Sequence, residues 1–413
     1  MKLTLRQQIT QFADVLQSKL FPNLEEELGE LSESAKRLLS TLEMIPLARF
    51  VPSAHGWVGR PSKDRLAIAS AFIAKAIYGF TTTRQLLEAL HRDDQLRRIC
   101  GWPVARRVPH ESTFSRAFEE FARMELPQLV HEALIRETLG DRLIGHIARD
   151  STAIEARERF PETDEQRAER LGPLKAKRKQ ERKMARQQAR EANPGVPQPG
   201  RKRGPKPGPH KAYPGGKRPY VPPSDTRLGR QRSMSLPEML EDLPKQCDIG
   251  AKKNSQGNTD YWRGYKLHLD VADGQIPISA VLTSASVHDS QVAIPLATMT
   301  TERVTYLYEL MDSAYDATHI REQSRSMGHV PIIDPNRHNT KPLPFQPSGA
   351  PGLSPAEQQR YRERTMVERA YAREKDEFGG RTIRVRGNPK VMAHLMFGIV
   401  ALTVDQLLRM GRL

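Results

Sequence analysis

The chain has 413 residues, enough for two ordinary domains that each bury a core of their own. Lysine and arginine number 65 against 49 aspartates and glutamates, and the resulting formal charge of +16 favours a polyanionic partner, either nucleic acid or an anionic membrane surface. The two cysteines form no CxxC pair, which argues against a disulfide framework and against a zinc site built from thiolates.

The N-terminal region, residues 1–140, is predicted to be an all-α domain. Its first residues lack the apolar stretch of a signal peptide. Three runs have helical spacing, and they begin near Ser62, Thr83 and Ser112. The residues expected on their inner faces are Leu66, Ala69, Ile73, Ala76, Ile77, Leu86, Leu87, Leu90, Phe114, Phe118 and Phe121.

These short helices suit two interpretations. Tight turns between them, and arginines near the third, are typical of a helix-turn-helix-like reader of DNA. A plain helical scaffold explains the same pattern, and the sequence does not separate the two. The arginines concerned are Arg106, Arg107, Arg116 and Arg123.

Residues 156–257 are predicted to form a long, basic and largely disordered insertion. Between Ala156 and Ser235 there are 22 lysines and arginines against 8 aspartates and glutamates, so nearly all of the excess charge falls in this segment. It is rich in proline and glycine and poor in large apolar residues, and therefore cannot bury a core. The segment is either a flexible linker or a surface that contacts DNA phosphates, and the sign and strength of its charge favour DNA.

Strands and helices alternate in residues 141–155 and 258–413. The turn Asp273-Gly274 between two apolar runs indicates a hairpin. The order of elements is a strand, two hairpin strands, a helix, a strand, a helix, a strand and a long helix, which predicts an α/β core with a mixed sheet and flanking helices. The most apolar stretch, residues 395–404, is far shorter than the roughly 20 residues that a membrane span needs. We therefore expect a soluble protein with no membrane partner.

Two aspartates, Asp150 and Asp312, are each expected just past the end of an apolar strand. In open α/β sheets such strand ends line the crevice that holds the functional site. Two carboxylates brought together there repel each other unless a proton or a cation lies between them. Hard divalent cations prefer oxygen ligands, so this pair with a third acid predicts a site for Mg²⁺ or Mn²⁺.

The third acid is expected on a long helix near the C-terminus. Ser354 and Glu357 form a capping box, and no glycine or proline interrupts the run before Gly379. At about 100° per residue, four side chains fall within roughly 60° of one another on this helix. They are Tyr361, Arg364, Glu368 and Lys375. A carboxylate flanked by cations suits a phosphodiester substrate, whereas a solvated face of i,i+4 ion pairs is the alternative.

The spacing Y-x2-R-x3-E-x6-K of these four residues resembles the YREK signature of a large group of DDE insertion-sequence transposases. Asp150, in the sequence Ala-Arg-Asp-Ser-Thr, and Asp312, in Asp-Ser-Ala-Tyr-Asp, are similar to that group's first and second acids. The helical N-terminal region also resembles the domain that precedes the catalytic core in many bacterial relatives. The resemblance covers most of the chain outside the basic insertion.

The resemblance implies an RNase H-like catalytic core that uses two metal ions, Mg²⁺ or Mn²⁺, to cleave DNA strands and transfer them. It implies catalytic and metal-binding roles for Asp150, Asp312 and Glu368. Double-stranded DNA, meaning the terminal inverted repeats of a mobile element and the target, is the implied partner, with a homodimer or higher assembly in the bacterial cytoplasm. Contacts to this DNA are implied for Tyr361, Arg364 and Lys375.

Several alternatives stay open at this point. The chain could be a degenerate or domesticated transposase that only binds DNA, or a metal-dependent nuclease of the same fold. His288 and Asp289 look like a motif of relatives that orients a ligand, although capping of the following helix explains Asp289 equally well. Only 56 positions separate Asp312 from Glu368, too few for the β-rich insertion of relatives that resolve a DNA hairpin, so the sequence leaves open whether excision uses a hairpin.

Overall fold

A computed structural model of the chain describes residues 3–51, 64–158, 223–253, 258–335 and 352–412, together with residues 180 and 184. Contacts group residues 1–158 and 224–413 into one compact unit. The helices of the N-terminal region are α1 (Leu5–Val15), α2 (Phe21–Leu28), α3 (Glu33–Met44), α4 (Leu47–Phe50), α5 (Arg65–Ile77), α6 (Thr83–Arg92), α7 (Asp94–Ile99), α8 (Glu111–Arg123) and α9 (Leu126–Leu139). A π-helical turn, Leu16–Leu20, joins α1 to α2, and a 3-10 turn, Ala105–Arg107, precedes α8.

The sheet and its helices follow. In chain order they are β1 (Leu143–Glu155), α10 (Arg227–Gln231), α11 (Leu236–Asp242), β2 (Asp248–Lys253), β3 (Thr259–Ala272), β4 (Ile276–Ser284), α12 (Ser290–Thr301), β5 (Thr305–Met311), α13 (Thr318–Ser326), β6 (Val330–Ile333), α14 (Pro355–Tyr361), α15 (Thr365–Glu377) and α16 (Asn388–Arg412). Three further 3-10 turns lie at Pro223–Asp225, Ser313–Tyr315 and Arg362–Arg364.

The sheet is mixed, as the sequence predicts. Strand β1 pairs antiparallel with β3 and parallel with β5, and β5 pairs parallel with β6. The first half of β3 pairs with β2 and its second half with β4, both antiparallel. The predicted hairpin is confirmed: Gly274 and Gln275, between β3 and β4, have positive φ angles of 79° and 62°. Mixed pairing with flanking helices fits the RNase H-like architecture that the resemblance implies.

Helices cover both faces of the sheet. On one face, Met311 and Ile333 pack with Ala293 of α12 and Ile320 of α13. On the other face, the neighbouring strand residues Leu310 and Ile332 pack in a cluster with residues of α15 and α16. Alternate residues of a strand point to opposite faces, so each strand supplies both layers of the core.

Helix α16 lies at the centre of the largest apolar cluster, which also contains residues of the N-terminal helices and of the sheet. Phe397 of α16 stacks with Phe72 of α5 at 5.7 Å and lies 6.3 Å from Phe118 of α8. The stretch Asn388–Gly411 is long and apolar enough to cross a membrane, but 78% of its most apolar window is buried in the protein, as expected of a core helix. The division into two domains at residue 140 stays a prediction.

Two sequence expectations about packing need correction. Phe114, Phe118 and Phe121 are buried as predicted, whereas Leu66, the second residue of α5, is 39% exposed. The apolar stretch at residues 395–404 is the middle of the 25-residue helix α16, whose polar residues at each end hid its length in the sequence.

Part of the predicted basic insertion is ordered. Gln231, at the end of α10, is buried and donates a hydrogen bond to the carbonyl oxygen of Gln291 in α12 at 2.8 Å. Leu243, just after α11, packs in an apolar cluster with Val281 and Leu296. The prediction of disorder is therefore wrong for residues 223–253. The few apolar residues of this segment need no core of their own, because they pack against residues of β4 and α12. Residues 159–222, apart from 180 and 184, and residues 254–257 lie outside the described part of the chain.

Candidate active site

Asp150 and Asp312 lie next to each other at the end of the parallel pair formed by β1 and β5. The last paired residues of these strands are Arg149 and Met311, and each aspartate is the next residue along its segment. The sequence predicts Asp150 just past the end of β1, and this is wrong. Asp150 lies inside β1, because β3 continues to pair with β1 as far as Glu155. The end of an apolar run marks the end of burial, not the end of backbone pairing.

The Asp150 carboxylate is 19% exposed, and it accepts hydrogen bonds from the backbone N–H of Ser151 at 2.7 Å and from Arg364 at 3.1 Å. Burial raises the pKa of Asp150 to about 6, and the charges of Asp312 and Asp289 act in the same direction. The two hydrogen bonds oppose this shift without cancelling it. Burial and the neighbouring carboxylates therefore disfavour the charged form of Asp150, even with Arg364 beside it.

Asp312 is in a similar state. Its carboxylate caps the 3-10 turn that follows, accepting a hydrogen bond from the backbone N–H of Ala314 at 2.9 Å. Burial and the charge of Asp289 raise the pKa of Asp312, whereas Arg364 and Lys252 lower it. Because Asp150 and Asp312 both have raised pKa values and lie together, a cation between them would be stabilised.

The helix that carries Glu368 is not continuous, which corrects the sequence prediction. The capping box of Ser354 and Glu357 is confirmed, and Gly379 has the positive φ angle of 92° expected after a helix end. Between them, however, the 3-10 turn Arg362–Arg364 separates α14 from α15. No glycine or proline marks this break in the sequence. It falls where Arg364 reaches across to β1, and short 3-10 turns inside helices often mark functional positions.

Arg364 connects the third acid to the first. Its guanidinium donates one hydrogen bond to Asp150 at 3.1 Å and another to Glu368 at 2.6 Å. The Arg364 side chain is 20% exposed and that of Glu368 is 52% exposed, so the glutamate lies at the mouth of the site. Burial lowers the pKa of Arg364, but Tyr361, Asp150 and Glu368 raise it by more, and the arginine stays charged.

The other two signature residues are Lys375, which contacts β1, and Tyr361, which contacts Arg364. Lys375 donates a hydrogen bond to the hydroxyl of Thr152, two residues beyond Asp150, at 2.7 Å. Tyr361 lies beside Arg364, with the guanidinium carbon 5.7 Å from the ring centroid. Of the signature residues, only Arg364 and Glu368 form the i,i+4 ion pair of a solvated helix face; Lys375 contacts β1 instead.

His288 and Asp289 differ in position. The imidazole of His288 is exposed and contacts Ser290 at 2.8 Å, at the start of α12. Asp289 makes no capping hydrogen bond; its carboxylate accepts from Ser151 at 2.8 Å and from Lys266 at 3.0 Å. It is therefore Asp289 that lies beside the acids, as a fourth carboxylate, while His288 contacts the helix start.

The donor set suits a hard divalent cation. Four carboxylates lie at this site, and two cations, Arg364 and Lys266, bond to them directly. Among the described residues, no group of three or more metal-ligating side chains has its ligand atoms gathered closely enough for a metal ion. The guanidinium of Arg364 lies between Asp150 and Glu368, which accounts for this spacing. Asp150, Asp312 and Glu368 carry carboxylate oxygens, the type of ligand that hard divalent cations prefer.

Several residues that position the acids were missed in the sequence. The Arg149 guanidinium, next to Asp150, is buried and bonds Asp270 at 2.8 Å and Glu309 at 3.2 Å. The Tyr371 hydroxyl donates to the backbone carbonyl oxygen of Asp150 at 2.6 Å, which ties α15 to β1. A charged residue inside an apolar strand was the available signal for Arg149. Nothing in the sequence identifies its partners, which are 121 and 160 residues away.

Two family models match the chain. The Transposase DDE domain matches residues 242–404, and the Transposase domain (DUF772) matches residues 25–120. Together they cover more than half of the chain. In the two further comparisons, no curated protein and no solved structure matches it.

The fold, the paired aspartates and these matches define a nucleic-acid-processing enzyme of the DDE class. The chain belongs to the DDE transposases of insertion sequences, which are metal-dependent enzymes that cleave DNA and transfer its strands.

Proposed function

We propose that this protein binds the terminal inverted repeats of its mobile element and catalyses strand cleavage and strand transfer with two divalent ions, Mg²⁺ or Mn²⁺, held by Asp150, Asp312 and Glu368. The observation that carries the proposal is the position of the acids. Asp150 and Asp312 follow the last paired residues of β1 and β5, and Arg364 joins Glu368 to Asp150. The raised pKa values of both aspartates indicate a site that requires a cation.

The side chains have separate roles in this scheme. When bound, two divalent ions supply an activated water or 3′-hydroxyl and stabilise the leaving oxygen. Asp289 and Ser151 hold the strand segment around Asp150 in place. Arg364 leaves its carboxylate partners to hold the phosphate beside the scissile bond, because a guanidinium fork matches phosphate oxygens as well as carboxylate oxygens.

Further DNA contacts belong to the same proposal. Tyr361, Arg364 and Lys375, the residues of the YREK-type spacing, contact phosphates that flank the scissile one. The arginines around α8 extend this surface, and all four are exposed: Arg106, Arg107, Arg116 and Arg123. The protein works as a soluble, DNA-associated dimer or higher assembly in the bacterial cytoplasm, because two element ends have to be joined to one target.

The test is cleavage of DNA that carries the inverted repeats flanking the gene. Asp150→Asn, Asp312→Asn and Glu368→Gln should each abolish Mg²⁺-dependent cleavage while DNA binding stays within a few-fold of wild type. Glu363→Gln is the matched control, since Glu363 is an exposed glutamate five residues before Glu368. Near-normal cleavage by any of the three variants would remove that residue from the metal site.

The same assay separates the alternatives. A transposase joins a 3′-hydroxyl end to target DNA, whereas a nuclease of this fold yields cut but unjoined product. A domesticated DNA-binding protein would bind the repeats and cut nothing with either Mg²⁺ or Mn²⁺. Absence of inverted repeats on both sides of the gene would favour that last alternative.

A further inference from the structure

Arg360, on α14, lies over β1 and β5 and is outside the signature spacing. The guanidinium carbon of Arg360 is 4.1 Å from the centroid of the Tyr308 ring, so the group stacks on that ring. One of its nitrogens is 3.4 Å from Nε2 of His146. His146 and Tyr308 are paired residues of β1 and β5, and their rings stack at 5.4 Å. The three side chains form one layered group, the Arg360 platform.

Asp273, in the turn between β3 and β4, fixes the orientation of the His146 ring in this platform. Nδ1 of His146 lies 3.0 Å from the carboxylate of Asp273, which also accepts the backbone N–H of His146 at 2.9 Å. With Nδ1–H donated to Asp273, Nε2 is left as an acceptor for Arg360. A Cβ atom at Gly145 would come within 2.8 Å of the Asp273 carboxylate and would displace it from this position. The hairpin turn between β3 and β4 therefore holds the imidazole, and the imidazole holds the guanidinium.

The charge of Arg360 is not neutralised by this arrangement. Within the described part of the chain, no carboxylate bonds to Arg360, in contrast to Arg364, which bonds two. Stacking on an aromatic ring orients a guanidinium without removing its charge, and its N–H groups remain available at the ring edge. Such a group binds a phosphate with little loss of side-chain entropy.

The position of the platform relates it to the acids. His146, Asp150 and Thr152 are even-numbered residues of β1 and lie on one face of the strand. Each is contacted by a different cation from the α14–α15 segment: Arg360, Arg364 and Lys375. Arg360 and Lys375 thus lie on opposite sides of the acids. Four residues of helix or 3-10 turn separate Arg360 from Arg364, on the order of 6–8 Å, and four residues of strand separate His146 from Asp150, about 13 Å.

We infer that the Arg360 platform, formed by Arg360, Tyr308 and His146, binds one DNA backbone phosphate on the side of the acids opposite Lys375. At a rise of about 3.4 Å per nucleotide, that phosphate is about two to four nucleotides from the scissile one. This inference rests on the proposed function, because it takes DNA as the molecule that covers this face of β1.

The experiment combines protein variants with neutral phosphates. The probe is a fluorescein-labelled duplex of about 30 base pairs that contains the terminal repeat flanking the gene, and binding is measured by anisotropy without divalent metal. In a series of duplexes, each phosphate within four nucleotides of the cleavage position is replaced in turn by a methylphosphonate. A methylphosphonate at the contacted position should weaken DNA binding by the wild-type protein. The same replacement should not weaken DNA binding by Arg360→Ala any further.

The expected effects are specific. Arg360→Ala should weaken binding about 10-fold and reduce the salt slope by about 0.9, the contribution of one phosphate contact. Arg360→Lys should recover only part of the affinity, because an ammonium does not stack on an aromatic ring or bind a phosphate through two parallel N–H groups as a guanidinium does. Tyr308→Leu removes the ring on which the guanidinium stacks and should resemble Arg360→Ala. Thermal melting of each variant checks that the fold is intact, and Arg360→Gln replaces the alanine variant if that one is unstable.

The matched control is Arg325→Ala, which removes the same charge from an exposed position on α13, on the opposite face of the sheet. Equal affinities for Arg360→Ala and Arg325→Ala would overturn the inference. So would a loss of affinity in Arg360→Ala that couples to no methylphosphonate position, since the residue would then act on the fold and not on a phosphate. Failure of wild-type protein to cleave the same duplex with Mg²⁺ would instead contradict the proposed function.

Discussion

Arg149 and Arg364 each bridge two carboxylates, and they differ in their surroundings. Arg149 bonds Asp270 and Glu309 and is 1% exposed. Arg364 bonds Asp150 and Glu368 and is 20% exposed. Since Arg149 precedes Asp150 on β1, the two clusters lie on opposite faces of one strand, only one residue apart in the sequence.

The buried cluster is closed by additional donors. The Thr300 hydroxyl donates to Asp270 at 2.7 Å and the Tyr306 hydroxyl to Glu309 at 2.7 Å. The cluster around Arg364 instead opens to solvent at Glu368, which is 52% exposed. The two clusters therefore differ in access: protein side chains enclose the Arg149 cluster, whereas a ligand can reach the Arg364 cluster.

The largest expected effect is on folding. Arg149→Met leaves Asp270 and Glu309 buried without their cation, which should cost about 3–5 kcal/mol of the free energy of unfolding. Arg364→Met, at the more exposed cluster, should cost less than about 1 kcal/mol. Urea denaturation of both variants at pH 7 measures the difference. Equal losses would mean that the two clusters do not differ in the way described.

The second effect is a pH dependence that belongs to the open cluster. Burial raises the pKa of Asp150 from its ordinary 3.8 to about 6, so the folded state holds this proton more tightly than the unfolded state between those values. The stability of the metal-free protein should therefore fall as pH rises through that window, by up to about 3 kcal/mol. In Asp150→Asn this part of the fall should vanish.

Urea denaturation in EDTA at pH 4, 5, 6 and 7 tests this expectation, with Glu363→Gln as a control that should follow the wild type. A curve for Asp150→Asn that runs parallel to the wild-type curve over the whole range would show that Asp150 titrates normally.

The sequence predicted β1, β3, β4, β5 and β6, the hairpin and the neighbourhood of Asp150 and Asp312, because local apolar runs determine where strands lie and where they leave the core. It missed β2, which lies in the segment predicted to be largely disordered. It did not predict the break at Arg362–Arg364, since that turn coincides with a contact to β1 and no local residue enforces it. The partners of Arg149, in β3 and β5, are likewise fixed only by tertiary pairing. The sequence explained Asp289 equally well as a helix cap and as a residue of the site. Only its contacts with Ser151 and Lys266 distinguish the two roles.

A third prediction concerns catalysis. Arg364→Ala should slow DNA cleavage about 100-fold, comparable with the loss of one donor to a developing charge. Its affinity for Mn²⁺ should be unchanged or higher, because the guanidinium no longer competes with a metal for Asp150 and Glu368. Single-turnover cleavage and Mn²⁺ titration on the same preparation separate the two effects. Normal cleavage would reduce the Arg364 bridge to a structural ion pair.

The smallest effect is expected at Lys375. Its ammonium bonds only the neutral Thr152 hydroxyl among the contacts described, so its charge remains for a phosphate. Lys375→Ala should weaken binding of terminal-repeat DNA about 10-fold, with cleavage of saturated complexes little changed. Thr152→Val, which removes the hydroxyl and keeps the lysine, serves as the control and should bind nearly normally. A normal salt dependence in Lys375→Ala would remove this residue from the DNA contacts.

The most direct test of the metal site is a Mn²⁺ titration followed by electron paramagnetic resonance, with wild-type protein, Asp312→Asn and Glu363→Gln compared at pH 7. We expect the wild type and Glu363→Gln to bind Mn²⁺ with the same affinity. Asp312→Asn should bind Mn²⁺ more than about 100-fold more weakly. Loss of a residue that only hydrogen-bonds a metal ligand lowers metal affinity about 10- to 100-fold, and loss of the ligand itself should lower it more. Equal Mn²⁺ affinity for Asp312→Asn and the wild type would contradict the assignment of the acids.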